Sequence, residues 1–273
     1  MNERHIILCA DDYGISPAVS AAIRDLMAHG RINATSVMVA APSFDRAEAA
    51  KLLNAAAKRA SVGLHVTLTG PFAPLSADFE PLRHGAFLSL ATTLRRAHLR
   101  ALRPKLLAVE ISRQFEAFAA AFGRPPDFVD GHHHVHLFPQ IRDAVLRVTK
   151  DLAPTVWVRQ CGQLSVRRRL TDHKALLLDG LSRRFRRLAA DHGLRTNPAF
   201  AGTYTFRSDA AYARLFATFL DRLPDGGVIM CHPGKVDAEL KRLDHVTESR
   251  EHEYAFFGSA AFAHLLAAHG VTL

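Results

Sequence analysis

Four stretches of this 273-residue chain place acids or imidazoles inside or directly after an apolar run. Asp11 and Asp12 follow HIILCA, and His65 lies in GLHVTLT. Asp130-Gly131-His132-His133-His134-Val135-His136 follows Phe128-Val129, and Cys231-His232-Pro233-Gly234 follows Val228-Ile229-Met230. Taken singly, adjacent aspartates suit a turn with a helix cap, and a lone His65 suits a satisfied, partly buried histidine. Four histidines within five residues are harder to accommodate, because protonation of any one repels the rest unless carboxylates or a cation hold them. Taken together, carboxylates at one strand end and imidazoles at others form the mixed oxygen and nitrogen donor set of a catalytic divalent-cation site. In extended backbone His132, His134 and His136 share one side and His133 takes the other. His134 and His136 are therefore candidates for supporting or substrate hydrogen bonds.

Bringing such distant residues together requires strands whose ends converge. The chain alternates short apolar runs with amphipathic segments. HIILCA is followed by a helix that Ser16 caps and Pro17 opens, with Gly30 beyond its end. Further strands are expected at Ser36–Ala40, Val62–Val66, Phe128–Asp130, Val156–Val158 and Gly227–Cys231. Helices are expected over about 43–58, 107–122, 208–222 and 259–269, and from Ile141; Ile111, Phe115, Phe118 and Phe122 recur at helical spacing. This pattern predicts an α/β fold: a single (β/α) barrel-like domain over 1–273 with roughly seven parallel strands. In such folds ligands collect at the carboxyl ends of strands, where all four polar stretches fall. No G-x-G-x-x-G follows the first strand, which argues against a dinucleotide domain. Two stretches break the rhythm. Residues 70–105 read as a long loop or lid, and residues 160–200 as a basic insertion.

Composition narrows the class further. With 48% hydrophobic and 22% charged residues the chain is neither disordered nor fibrous. Its three cysteines, Cys9, Cys161 and Cys231, are too few and too scattered for a disulfide scaffold. No apolar run reaches the length of a membrane span. The start MNERHIILCADDYG lacks the long apolar core of a signal peptide, which with free thiols points to the cytoplasm. Against 26 acids stand 35 Lys and Arg, a net +9 that suits anionic partners, although no nucleic-acid motif is visible and none is expected to bind. Should the chain oligomerise, a homodimer is the commonest arrangement.

ADDYGIS (10–16), GLHVTLT (63–69), DGHHHVHLFP (130–139) and MCHPG (230–234) resemble, in order and spacing, the YdjC/ChbG carbohydrate deacetylases, to which the hopanoid-associated HpnK proteins are related. The resemblance implies a TIM-like or NodB-like barrel, a divalent metal (Mg²⁺ first, Zn²⁺ or Mn²⁺ as alternatives) and hydrolysis of an N-acetyl group on a sugar. It implies Asp12, His65 and His132 as metal ligands, Asp11 as general base and His232 as general acid. The implied partner is an N-acetylated sugar: a chito-oligosaccharide, or a sugar on an anionic lipid or nucleotide carrier. Cys9 stands where the family usually has Asn, and Gly131 where it often has Ser. Two other readings use part of the same residues. One is a different metal-dependent hydrolase, a phosphoesterase or amidohydrolase acting on an anionic substrate. The other is a basic module binding nucleic acid or anionic lipid, which leaves the strand-end acids and histidines unexplained.

Overall fold

Apolar runs without polar alternation fold as strands covered on both faces, and here they build one parallel sheet. The structure is a computed structural model that describes residues 3–56, 60–162, 173–206, 212–221 and 223–273, with the backbone alone for 173–175. Its strands are β1 (Arg4–His5), β2 (Ile7–Tyr13), β3 (Ala34–Val37), β4 (Ser61–Val66), β5 (Phe128–Gly131), β6 (Trp157–Val158), β7 (Arg195–Thr196), β8 (Phe200–Ala201), β9 (Val228–Cys231) and β10 (Val271–Thr272). Its helices are α1 (Pro17–Ala28), α2 (Arg46–Ala56), α3 (Leu90–His98), α4 (Pro104–Phe122), α5 (Ile141–Leu152), α6 (His173–Asp191), α7 (Tyr212–Leu220), α8 (Ala238–Leu243), α9 (Glu248–Gly258) and α10 (Ala260–Ala268). β1 pairs with β10, away from the main sheet.

The main sheet has the order β7-β6-β5-β4-β3-β2-β9-β8, parallel throughout. Its two edge strands are the two ends of one short segment, 195–201, which pairs with β6 at its start and with β9 at its finish. Three residues can span little more than ten ångströms or so, so the sheet must curl until its edges nearly meet. The eight ladder strands are thus seven passes of chain, which reconciles them with the seven expected. Asn197 ties the join: its side chain donates to the carbonyls of Gln160 (3.1 Å) and Ala199 (2.8 Å) and accepts from Gln160 N–H (2.8 Å).

The local signals act as expected. Ser16 Oγ accepts from Val19 N–H at 3.4 Å and Pro17 opens α1. Gly123 ends α4 in the left-handed region at φ 68°. Helix α4 buries Leu107, Ile111, Phe115, Phe118 and Phe122 against the barrel. Gly63 is required on β4, because a side chain there would collide with the Phe128 ring on β5.

Residues 70–105 are less loop-like than their sequence suggests: Phe72, Phe79 and Phe87 are buried, and α3 lies inside the segment. Residues 160–200 contain β7, β8 and α6, the helix that the spacing of Leu177, Leu181, Phe185 and Leu188 predicts; Leu181 and Phe185 face inward, whereas Leu177 is exposed. Arg167-Arg168-Arg169 lies outside the described residues.

Candidate metal centre and active site

β2 does not end as a regular strand. Its register with β3 slips between Ala10 and Tyr13, and Asp12 adopts φ 67°. A bulge of this kind re-aims side chains at the rim of a barrel, and here it sends two adjacent carboxylates to different partners. Asp12 Oδ1 lies 2.9 Å from His132 Nδ1 and 3.3 Å from His65 Nε2. All three residues are buried, and their donor atoms lie within 4.8 Å of one another. β2, β4 and the turn after β5 therefore bring together the three ligands expected from the sequence.

The set suits a divalent ion. Donors bound to one ion at about 2.1 Å and at right angles stand about 3 Å apart, close to the two spacings found. His65 is also held as a metal-binding imidazole is held: its Nδ1–H donates to Asp130 Oδ1 at 2.6 Å, which turns Nε2 toward Asp12. Burial pulls the His65 imidazole down, yet Asp130 and Asp12 outweigh it and push it up to about 10. The pocket draws positive charge.

Asp11 turns instead to Arg159, which follows β6 and donates to both its oxygens, each at 2.7 Å. Ser36 Oγ (3.2 Å) and Cys9 Sγ (3.5 Å) add to Oδ1. Burial raises the carboxyl, but the guanidinium outweighs it and holds Asp11 well below the usual carboxylate range. Arg159 also pairs with Asp130 Oδ2 at 2.9 Å, so one buried cation serves both the Asp11 carboxylate and the one that orients His65. On the other wall Arg250 donates to Asp12 Oδ2 and Asp244 Oδ2, both at 2.6 Å. Burial is likewise outweighed at Asp12, by His132 and Arg250, and its carboxyl too sits well below its ordinary value.

His232 Nε2 lies 3.9 Å from Asp12 Oδ2, and its Nδ1 is buried with no hydrogen-bond partner among the described residues. Burial pushes this imidazole down to about 4. Its backbone N–H donates to Glu253 Oε2 at 2.5 Å. Phe72, from the segment expected to cover the site, stands edge-on to His132 with ring centroids 5.7 Å apart.

The histidine run does not continue as a strand. Residues His132–Leu137 form a tight 3₁₀ turn, with His133 at φ 55° and His134 at φ 58°. The expectation that His134 and His136 share the side of His132 is therefore wrong. His136 turns away and its Nε2–H donates to Arg159 O (2.8 Å), and His134 Nδ1 meets Cys161 Sγ at 3.5 Å. His133 stays by the centre: its ring lies on His132 at 3.8 Å between centroids, and its Nδ1 meets Thr69 Oγ1 at 3.1 Å. Left-handed backbone at two non-glycine residues costs about 1–3 kcal/mol each. Gly131 belongs to this turn, since a Cβ there would come within 3.0 Å of His136 Nδ1 and 3.2 Å of its backbone N.

Comparison with known proteins agrees with this architecture. Residues 5–268 match the family described as YdjC-like protein. A chitooligosaccharide deacetylase of Serratia marcescens is 30% identical over 241 residues, 87% of this chain and 85% of that protein. One from Yersinia pestis is 36% identical over 150 residues, which span only 57% of its length and 55% of this chain. Among solved structures, a proposed cellobiose-phosphate cleavage protein from Enterococcus faecalis superposes with a TM-score of 0.75 at 20% identity, covering 100% of this chain and 97% of its own. At that identity the likeness speaks for the fold.

Proposed function

This chain belongs to the family of YdjC-like proteins, and on that premise we propose that it is a divalent-metal-dependent hydrolase that removes the acetyl group from an N-acetylated amino sugar. The observation that carries the reading is the convergence of Asp12, His65 and His132 from three strand ends. Those three residues would hold the ion, with Mg²⁺, Mn²⁺ and Zn²⁺ all compatible with a mixed donor set. When bound, such an ion supplies an acidified water and a polarised acetyl carbonyl.

The chain's own groups do the rest. Asp11 takes the proton of the attacking water; the two hydrogen bonds from Arg159 fix its orientation and keep it ionised. Asp130 sets the tautomer of His65. His232, whose Nε2 stands 3.9 Å from Asp12 Oδ2 and whose Nδ1 is unpartnered among the described residues, would protonate the leaving amine once it has taken up a proton, which burial disfavours in the free protein. The name carried by the Serratia relative supports a chito-oligosaccharide as the first substrate to try. The family match over residues 5–268 supports reading 1–273 as one domain, and Phe72 against His132 supports a 70–105 segment that roofs the site. Among the described residues no helix is long and apolar enough to cross a membrane. The three cysteines are free and buried, which supports a reducing, cytoplasmic setting.

The test is acetate release from N,N′-diacetylchitobiose with Mg²⁺, Mn²⁺ or Zn²⁺ and after chelation. Release should require the ion, vanish in Asp12→Asn and His132→Ala, and fall by about 10²–10⁴ in Asp11→Asn while the ion is retained. Acetate release that survives Asp12→Asn overturns the assignment. Phosphate release from a sugar phosphate, without acetate, would move the same site to the phosphoesterase class.

A further inference from the structure

The net charge of +9 is concentrated. Residues 90–105, 141–152 and 176–191 hold 12 of the 35 Lys and Arg but only 4 of the 26 Asp and Glu, a net +8. The rest of the chain is close to neutral, so a general preference for arginine does not explain the excess.

These three segments form one outer face. α5 packs against α6 on one side and α4 on the other. Gln140, at the head of α5, clamps the turn that follows α3: it accepts from Leu102 N–H at 3.0 Å and donates to Leu102 O at 3.1 Å. Arg100 is thereby set beside Arg142, whose guanidinium burial and then the fields of Arg184 and Arg100 hold below its usual range, against Asp143. α6 buries Leu178, Leu181, Phe185 and Ala189, and leaves Arg183, Arg184, Arg186 and Arg187 exposed. Among the described residues the only ion pairs made by the cations of this face are Arg103–Glu80 at 3.0 Å and Arg142–Asp143 at 3.6 Å. Large apolar side chains stand among the arginines: Leu99 is 71% exposed, Leu176 39% and Leu177 41%. α3 touches the 132–137 turn, and α6 begins at the carboxyl ends of the strands before running back to β7, so these leucines lie toward the mouth of the site.

We propose that this face docks on the surface of an anionic phospholipid bilayer. Its arginines meet the headgroup phosphates, and Leu99, Leu176 and Leu177 enter the interfacial layer beside the mouth. Arginine stems with exposed leucines at their edge are what such an interface takes up. A single small phosphate would engage two or three guanidinia and leave the remainder of a face about 28 Å long, the length of α6, without a role. Nucleic acid is disfavoured because the three segments offer no exposed aromatic ring for a base to stack on: their one aromatic residue, Phe185, is buried. The inference stands whether or not the substrate reading is right.

The test is co-sedimentation of the whole protein with vesicles of phosphatidylcholine alone, or of equimolar phosphatidylcholine and phosphatidylglycerol, at low and high salt. Binding should favour the anionic vesicles by at least about tenfold and weaken with salt. Arg100→Glu with Arg184→Glu should cost about tenfold or more, and Leu99→Glu about threefold, with melting and turnover of a soluble substrate unchanged. Equal partition into both vesicle types, or wild-type binding by the charge-reversal variant, overturns the proposal. So does tighter binding to a short DNA duplex than to anionic vesicles at the same salt.

Discussion

Asp11 and Asp12 are neighbours in sequence, equally buried, and end in two different electrostatic regions. Asp11 faces a guanidinium that occupies both of its oxygens. Asp12 divides its oxygens, one toward two imidazoles and one toward Arg250. A carboxylate saturated by arginine has a fixed direction and little capacity to bind an ion. A carboxylate facing imidazoles, which give up a proton when an ion binds, has that capacity. The left-handed residue at the end of β2 separates the two environments, so a single bulge turns a repeated residue type into two chemical roles.

The largest expected effect breaks this division on the Asp12 side. Asp12→Asn should abolish both ion retention, by equilibrium dialysis, and turnover, by at least about a thousandfold. Asp11→Asn should lose about 10²–10⁴ in turnover and keep the ion. If both variants lose the ion equally, the two aspartates share one role and the division is wrong. Next in size is the Asp11 side. Arg159→Met leaves Asp11 and Asp130 buried without their cation, and should cost about 3–5 kcal/mol of stability near neutral pH. In the wild type the depressed pKa of Asp11 contributes stability above the unfolded carboxyl range and loses it as pH falls. The variant's deficit should therefore shrink as acid protonates the unpaired carboxylates, which thermal melts from pH 7 down to about 4 would show.

The strand-end residues were legible because buried parallel strands must stop where the chain turns polar, and Asp11, Asp12, His65, His132 and His232 all stand at such stops. The same rule applies to Arg159, after Val156-Trp157-Val158, and to Asp130; in a chain this rich in arginine, Arg159 does not stand out from surface charge. Arg250 and Glu253 carry no signal, because α9 is charged on every side and only its packing reveals which side turns inward. The histidine run misleads for a different reason. Alternation assumes extended backbone, and nothing in HHHVH marks His133 and His134 as left-handed. Among the larger elements, the helical rhythm and the barrel-like class are readable, whereas the closure through 195–201 depends on which edges one short segment meets.

Asp130 sharpens the comparison at smaller scale, since it serves both regions through Arg159 and His65. Asp130→Asn should weaken ion affinity by about 10–100-fold, with the fold retained, because His65 loses the partner that fixes its tautomer. The smallest effect belongs to a further buried carboxylate, Glu253, which forms no ion pair among the described residues. It accepts from Tyr204 Oη at 2.6 Å and from His232 N–H at 2.5 Å. Burial outweighs those hydrogen bonds and pushes its carboxyl up to about 7, opposite to both aspartates. The folded protein then keeps a proton that the unfolded chain releases near its ordinary carboxyl value, so stability falls as pH rises through that window up to about 7. Glu253→Gln cannot titrate, and should flatten this slope by on the order of 1 kcal/mol between pH 5 and 8. Melting curves across that range would decide it; an unchanged slope would mean that Glu253, like the aspartates, keeps its charge.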